Sequence, residues 1–171
     1  SYLKSSDEIV DIGCGDGKAT VAYAKKVKKC VAYENSDFLR KEATAEVKRS
    51  GLKNTTIKYG DILKMKKIPE RPDVLITQRL LINLASWSEQ KEAIENIYRM
   101  LKPGSLYIMI ENTNDAYLVL NDMRYQVGLE PIPIHWHNLF FDYNQLMDFL
   151  KDKFQLLSSH DFGLYYFLTR V

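Results

Sequence analysis

Apolar and polar positions alternate in blocks along this chain. Short runs of apolar, β-branched or aromatic residues stand between longer amphipathic stretches, the mark of a parallel sheet covered by helices on both faces. The first run, Glu8 to Ile12, predicts a strand, and Ala19-Thr20-Val21-Ala22-Tyr23-Ala24 predicts the helix behind it. A second strand is expected at Cys30 to Tyr33. Ser36 then supplies an N-cap for a helix reaching Ser50, where Gly51 stops it. Strands follow at Thr55 to Tyr59 and, after Pro72, at Asp73 to Thr77. Ser86 opens an amphipathic helix over Trp87 to Leu101, with Ile94, Ile97 and Leu101 on its apolar side. Lys102-Pro103-Gly104 breaks the chain ahead of a fifth strand, Leu106 to Ile110. Residues 114–127 read as helical up to Gly128, and another helix is expected near Asn144 to Lys153. The last runs, Phe154 to His160 and Leu164 to Thr169, read as two strands joined by a tight turn at Gly163.

Within this pattern one stretch carries chemistry. The first strand runs into Gly13-Cys14-Gly15-Asp16-Gly17-Lys18, and Glu34 ends the second strand. Glycine admits backbone angles closed to other residues and lets a ligand lie against the main chain. A carboxylate about 20 residues further on suits the two hydroxyls of a ribose, because it only accepts hydrogen bonds and can take both donors. A dinucleotide fingerprint would need a third small residue where Lys18 stands, which disfavours an NAD-dependent oxidoreductase. Asp11 and Asp16 would repel a pyrophosphate but attract an ammonium group. A cofactor with an amino-acid end, a ribose and an adenine fits, and S-adenosylmethionine is such a molecule. Cys14 is expected to matter for its small size, with its thiol a bystander.

Composition narrows the remaining classes. The 171 residues suffice for one domain with a substantial core. Twenty-four basic against 22 acidic side chains give a net charge of +2, too little for a nucleic-acid footprint or a polybasic membrane anchor. Two cysteines make no disulfide framework, no apolar run is long enough to span a bilayer, and no apolar signal region stands at the start. A reducing, cytoplasmic setting is the default expectation.

The segment Val10-Asp11-Ile12-Gly13-Cys14-Gly15-Asp16-Gly17, with Glu34 behind it, resembles the first motif of the class I S-adenosylmethionine-dependent methyltransferases, the small-molecule type in particular. That resemblance covers essentially the whole chain. It implies a three-layer αβα sandwich around a mostly parallel seven-stranded sheet whose terminal strand, from the final hairpin, runs antiparallel. It also implies S-adenosylmethionine as cofactor and S-adenosylhomocysteine as product. The motif stands unusually near the start; members of the family usually carry helices ahead of it, so the sequence reads as either a minimal version or a trimmed one. A single domain over 1–171 is expected, with a cofactor-binding half over about 1–85 and a substrate insert over about 112–141.

By the same resemblance the cofactor would meet Asp11, Gly13, Cys14, Gly15 and Gly17, the ribose Glu34, and the adenine Asn35, Asp61 and the Ile62 amide. Asp61 could equally make an Asx turn after its strand. Gln78 and Arg79 fall near the sulfonium end, or serve as a polar strand cap, and Trp87 could stack on a ligand or belong to the core. On the acceptor side the segment His135-Trp136-His137-Asn138 packs two imidazoles, an indole and an amide into four residues. If it is extended, both histidines point one way and Trp136 the other. His137 is expected as general base, His135 as an orienting partner, and Trp136, Asn138, Arg79, Glu111, Asn121 and Arg124 as substrate contacts; no ligand set for a metal is expected.

These readings converge on methyl transfer to an oxygen or nitrogen of a polar small molecule, such as a sugar or phosphorylated metabolite. The blocks Arg79-Leu80-Leu81-Ile82-Asn83-Leu84 and Trp136-His137-Asn138 resemble a subgroup acting in bacterial sugar and small-metabolite modification. A protein lysine N-methyltransferase and a non-catalytic cofactor-binding partner subunit remain open. The place past strand four reads Thr77-Gln78-Arg79-Leu80 rather than the Asn/Asp-Pro-Pro-Tyr of nucleic-acid amino-methylating enzymes, so no nucleic acid or membrane partner is expected, and the sequence leaves the oligomeric state open.

Overall fold

A computed structural model describes residues 2–169. Five strands form one sheet in the order β3-β2-β1-β4-β5: β1 Glu8–Ile12, β2 Lys29–Glu34, β3 Thr55–Tyr59, β4 Val74–Gln78 and β5 Leu106–Ile110. All four pairings are parallel, with Ile12 opposite Tyr33 on one side and Thr77 on the other. The central strands are buried on both faces, so they read as continuous apolar runs. On one face Ile9, Cys30, Val74 and Ile76 pack with Ala24 of helix α1 (Lys18–Ala24), and Ala32 with Ala43 of α2 (Asp37–Ser50). On the other, Val10, Ile12, Val31 and Leu75 pack with Ile94, Ile97 and Met100 of α3 (Trp87–Met100). The result is the expected three-layer sandwich.

Helix ends follow the local chemistry. Ser36 accepts from the Leu39 amide at the start of α2, Ser86 from the Glu89 amide at the start of α3, and Gly51 closes α2 in the left-handed region at φ 72°. Thr113 and Asp142 cap α4 (Asn114–Gln126) and α5 (Tyr143–Leu150) in the same way.

The C-terminal stretch departs from the expectation. Among the described residues 154–160 form no strand, and Gly163–Thr169 is a helix, α6, so the sheet has five parallel strands rather than seven with an antiparallel one. An apolar run this short carries no periodicity that separates strand from helix. Here the Asp161 carboxylate accepts from the Gly163 amide, the Tyr166 amide donates to Phe162, and α6 packs on α4, so local bonds start the helix and a distant helix holds it.

Candidate active site

The strand order reverses between β1 and β4, and the carboxyl ends of these strands form the crevice where open α/β sheets bind ligands. The glycine loop leaves β1 there. The Gly13 and Cys14 amides both donate to the Tyr33 carbonyl, at 2.8 and 3.1 Å, so the loop bends tightly over the end of β2.

The three glycines are needed for three different reasons. All have positive φ, at 75°, 57° and 81° for Gly13, Gly15 and Gly17. A Cβ on Gly13 would fall 2.6 Å from Leu80 Cδ1, and one on Gly17 would fall 2.8 Å from the Ala43 backbone of α2. A Cβ on Gly15 would meet nothing within 4 Å. Gly13 and Gly17 therefore allow protein to approach protein, whereas Gly15 faces open space where a ligand can lie on the backbone.

Glu34 is buried and grips the loop from the β2 side. One carboxylate oxygen accepts from the Gly15 amide and the other from the Ser36 amide, each at 2.9 Å. An ionised carboxylate has about four acceptor positions, so two remain for a ribose diol. Asp11, also buried, accepts from the Thr20 hydroxyl at 2.6 Å. Burial pushes its carboxyl up to about 6, the Thr20 bond pulls it down, and the nearby Glu34 charge raises it again. Burial likewise lifts the Cys14 thiol to about 12, which keeps it an inert, small side chain.

Past β3, Asp61 makes the Asx turn: its carboxylate accepts from the Leu63 amide at 3.1 Å and pairs with Lys64 at 3.2 Å. The Ile62 amide donates to no acceptor among the described residues. Asn35 is exposed beyond Glu34, and next to it Phe38 stands 70% exposed on the first turn of α2. Periodicity gave no reason to single out Phe38, since the residue after a helix start has no fixed partner.

At the end of β4 the Gln78 amide oxygen accepts from Tyr23 at 2.6 Å. Arg79 is the only non-glycine with positive φ among the described residues, at 52°. Its amide donates to Ile110 at 2.8 Å and its carbonyl accepts from Asn83 at 2.6 Å. Glu111 does not reach out toward an acceptor. Its carboxylate accepts from the Leu80, Leu81 and Ile82 amides at 3.1, 3.1 and 3.3 Å, capping a 3₁₀ turn over Leu81–Asn83. Burial pushes Glu111 up to about 7 against those three amides and the Arg79 charge.

The insert divides into a scaffold and a tip. Asn121 brackets Ile132 with both ends of its amide, at 3.2 and 2.9 Å, and buried Arg124 donates from Nε to the Glu130 carbonyl at 2.7 Å. Both side chains thus pin the loop after α4. The tip, His135 to Asn138, is a turn closed by the Asn138 amide on the His135 carbonyl at 2.9 Å, not an extended segment. Even so the two imidazoles lie side by side, nearly parallel with centroids 5.7 Å apart, and Trp136 stands edge-on to His137. Trp136 is 95% exposed. Trp87 belongs to the core, edge-on to Phe141 and Phe149.

The tip is fastened to the 3₁₀ turn that follows β4. Asn138 Nδ2 donates to Asn83 Oδ1 at 2.7 Å, and the Leu139 amide to the Ile82 carbonyl at 2.7 Å. Buried Gln90 donates to both the Leu81 and Leu139 carbonyls, at 3.2 and 2.8 Å. Asn83 and Gln90 escape a sequence reading because their partners lie 55 and 49 residues away. Asn83 does leave a faint trace, as an amide inside an otherwise apolar run. No group of three or more His, Cys, Asp or Glu among the described residues is placed to hold a metal ion. No helix among them is long and apolar enough to cross a membrane.

A family of sequences described as a methyltransferase domain matches residues 3–159. The chain belongs to the class I S-adenosylmethionine-dependent methyltransferases. The methyltransferase domain is 30% identical over 113 residues to an uncharacterized methyltransferase of Schizosaccharomyces pombe, covering 60% of this chain and 39% of that one. It is 32% identical over 111 residues to a protein-lysine N-methyltransferase of Saccharolobus islandicus, covering 63% of this chain and 64% of that one. The chain therefore spans under two thirds of the length of either relative. A S-adenosylmethionine-dependent methyltransferase of known structure from Methanosarcina mazei superposes with a TM-score of 0.67 at 23% identity, covering 88% of this chain and 80% of that one. That likeness is one of fold.

Proposed function

We propose that this methyltransferase domain binds S-adenosylmethionine along the ends of β1 to β4 and methylates an oxygen or nitrogen of a polar small molecule held under the His135–Asn138 turn. The observation that carries the reading is that Asn138 and Leu139 fasten this turn to the 3₁₀ turn after β4, whose preceding Leu80 abuts Gly13 of the glycine loop. One domain then holds the cofactor on its first half and the acceptor on its insert. When bound, S-adenosylmethionine would supply a methyl group on a sulfonium, whose carbon–sulfur bond breaks as the acceptor bonds the methyl carbon in line, leaving S-adenosylhomocysteine. The residues fit it: Gly15 leaves open space over its backbone, Glu34 keeps free acceptor positions, and the Ile62 amide has a free donor.

In this reading Glu34 takes the ribose hydroxyls while holding the loop, and Asp11 draws the cofactor's ammonium by its charge. Asn35, Asp61 and Gln78 border the same groove. His137 takes the proton that leaves the acceptor, and His135 keeps the ring parallel and oriented. Alignment supplies most of the acceleration, worth up to about 7–11 kcal/mol, and a base adds about 10²–10⁴-fold. Protein lysine methylation is the second reading, favoured by the Saccharolobus relative's name. Against it, the acceptor side carries Arg79 and two imidazoles, with none of them ion-paired to a carboxylate among the described residues, a poor surface for a lysine.

Calorimetry with S-adenosylmethionine tests the cofactor half. Glu34→Ala should weaken binding more than tenfold, since hydrogen bonds to a charged group are worth about 1.5–3 kcal/mol; unchanged affinity removes the proposed ribose site. With an acceptor in hand, His137→Ala should cut turnover about 10²-fold or more while leaving cofactor affinity near wild type. Wild-type turnover in both His135→Ala and His137→Ala would leave positioning as the sole source of rate.

A further inference from the structure

On the glycine-loop side Asp11 and Glu34 are buried, while Asp16 and Asp61 are paired with Lys18 and Lys64. Past β4 Arg79 is exposed, and so are His135 and His137 on the turn fastened there. Arg79 has no ion-pair partner among the described residues, and the nearby Glu111 carboxylate is taken up by three backbone amides.

The Arg79 backbone is held in a costly conformation. A non-glycine residue in the left-handed region costs about 1–2 kcal/mol, and such strain persists only where its surroundings over-determine it, commonly at ligand sites. Here the surroundings do so three times over. Ile110 fixes the Arg79 amide, Asn83 fixes its carbonyl, and Glu111 fixes the next three amides. Asn83 is the hinge of this arrangement, because its other end holds Asn138. One amide side chain thereby sets the strained Arg79 and the histidine turn in a common frame.

Resting on the reading above, we infer that the acceptor carries a phosphate or carboxylate group, seated on the Arg79 guanidinium, and that Asn83 is a positioning residue for this anion site. A guanidinium presents a planar fork of donors that matches either oxyanion with two parallel bonds. The turn that carries the two imidazoles is tied to Arg79 through Asn83 and brings further donors to the same end of the crevice. The anion anchors the acceptor at one end, so that the atom to be methylated lies toward the glycine loop, away from the anchor.

Proton–nitrogen NMR of the whole protein, with and without S-adenosylhomocysteine, tests this with sodium phosphate, sodium acetate and glucose at constant ionic strength. The signals followed are the Arg79 Nε–H and the Trp136 indole N–H. Phosphate or acetate should shift both saturably in the millimolar range, and whichever binds tighter names the oxyanion; glucose should shift neither. Arg79→Gln should weaken the binding at least tenfold. Arg79→Lys should recover it only in part, because the fork is lost. Asn83→Asp, which turns the donor facing the Arg79 carbonyl into an acceptor, should weaken it severalfold while the remaining spectrum stays folded. Absence of saturable shifts, equal response to glucose, or binding unchanged in Arg79→Gln overturns the anion site; unchanged binding in Asn83→Asp overturns the role of Asn83. Failure of S-adenosylhomocysteine to bind while phosphate still binds at Arg79 would overturn the proposed cofactor groove and leave the anion site standing.

Discussion

Gly15 and Gly17 share a loop and a sign of φ, yet substitution should separate them. Gly15→Val would place its side chain in open space, so the fold should survive with strain of about 1–2 kcal/mol. S-adenosylmethionine binding should be lost, because the side chain takes the ligand's place. Gly17→Val carries the same strain and adds a collision with the α2 backbone, which cannot yield cheaply. Thermal unfolding should rank Gly17→Val well below Gly15→Val, and equal melting temperatures would refute the division of labour. Arg79 offers the converse experiment. Arg79→Gly relieves a left-handed arginine and should raise stability by about 1 kcal/mol or a few degrees in Tm. A loss of stability on that change would mean that the side chain holds the fold.

Glu111 acts at the scale of an element. Its carboxylate holds the first amides of the 3₁₀ turn, and that turn carries Asn83 and the Ile82 carbonyl on which the histidine tip hangs. Removing the acceptor leaves these amides partly buried and unpaired, at about 1–3 kcal/mol for each group left wholly unsatisfied. Glu111→Ala should therefore destabilise the protein by about 2–4 kcal/mol. Hydrogen exchange should also quicken at Leu81, Ile82 and Leu139 more than in β1 or α3; uniform protection would break the proposed mechanical link. The sequence expected a substrate contact at Glu111, whereas its carboxylate is taken up by backbone amides. What it could not reveal is the direction of the carboxylate, because its partners come from the loop of another strand.

At the scale of the molecule, the buried carboxyl of Asp11 and the partly buried one of Glu111 tilt the response to pH. Asp11 is raised from 3.8 to about 6 and Glu111 from 4.5 to about 7, both chiefly by burial. Between those ordinary values and the raised ones the folded protein binds more protons than the unfolded chain, so stability falls as pH rises through the window and levels off above it. A full displacement of that size is worth about 3 kcal/mol per group. Denaturant titrations should find the protein more stable near pH 5 than near pH 8 from this source. Glu111→Gln should flatten the slope toward neutral pH, and a slope that survives it unchanged assigns the effect elsewhere. Cofactor affinity should run oppositely, rising as Asp11 ionises through about 6.

The chain by itself determined the layers and the glycine loop with its carboxylate. Strands Glu8–Ile12, Thr55–Tyr59 and Leu106–Ile110 and the caps Ser36 and Ser86 rest on neighbours within a few residues or on burial by type, and Glu34 is legible from the strand that ends on it, 19 residues after Gly15. Such signals are local, so they are written in the order of residues. Tertiary structure decided the rest. It sent Asn121 and Arg124 to brace a loop, turned Glu111 inward, closed the histidine segment into a turn and made Gly163–Thr169 a helix on α4. Asn121 and Arg124 find partners 11 and 6 residues on that no periodicity announces, Glu111 takes an amide 30 residues back, and the last run is too short to have a period. The physical reason is that a polar side chain takes whichever partner the fold brings within about 3 Å, and spacing along the chain does not encode that meeting.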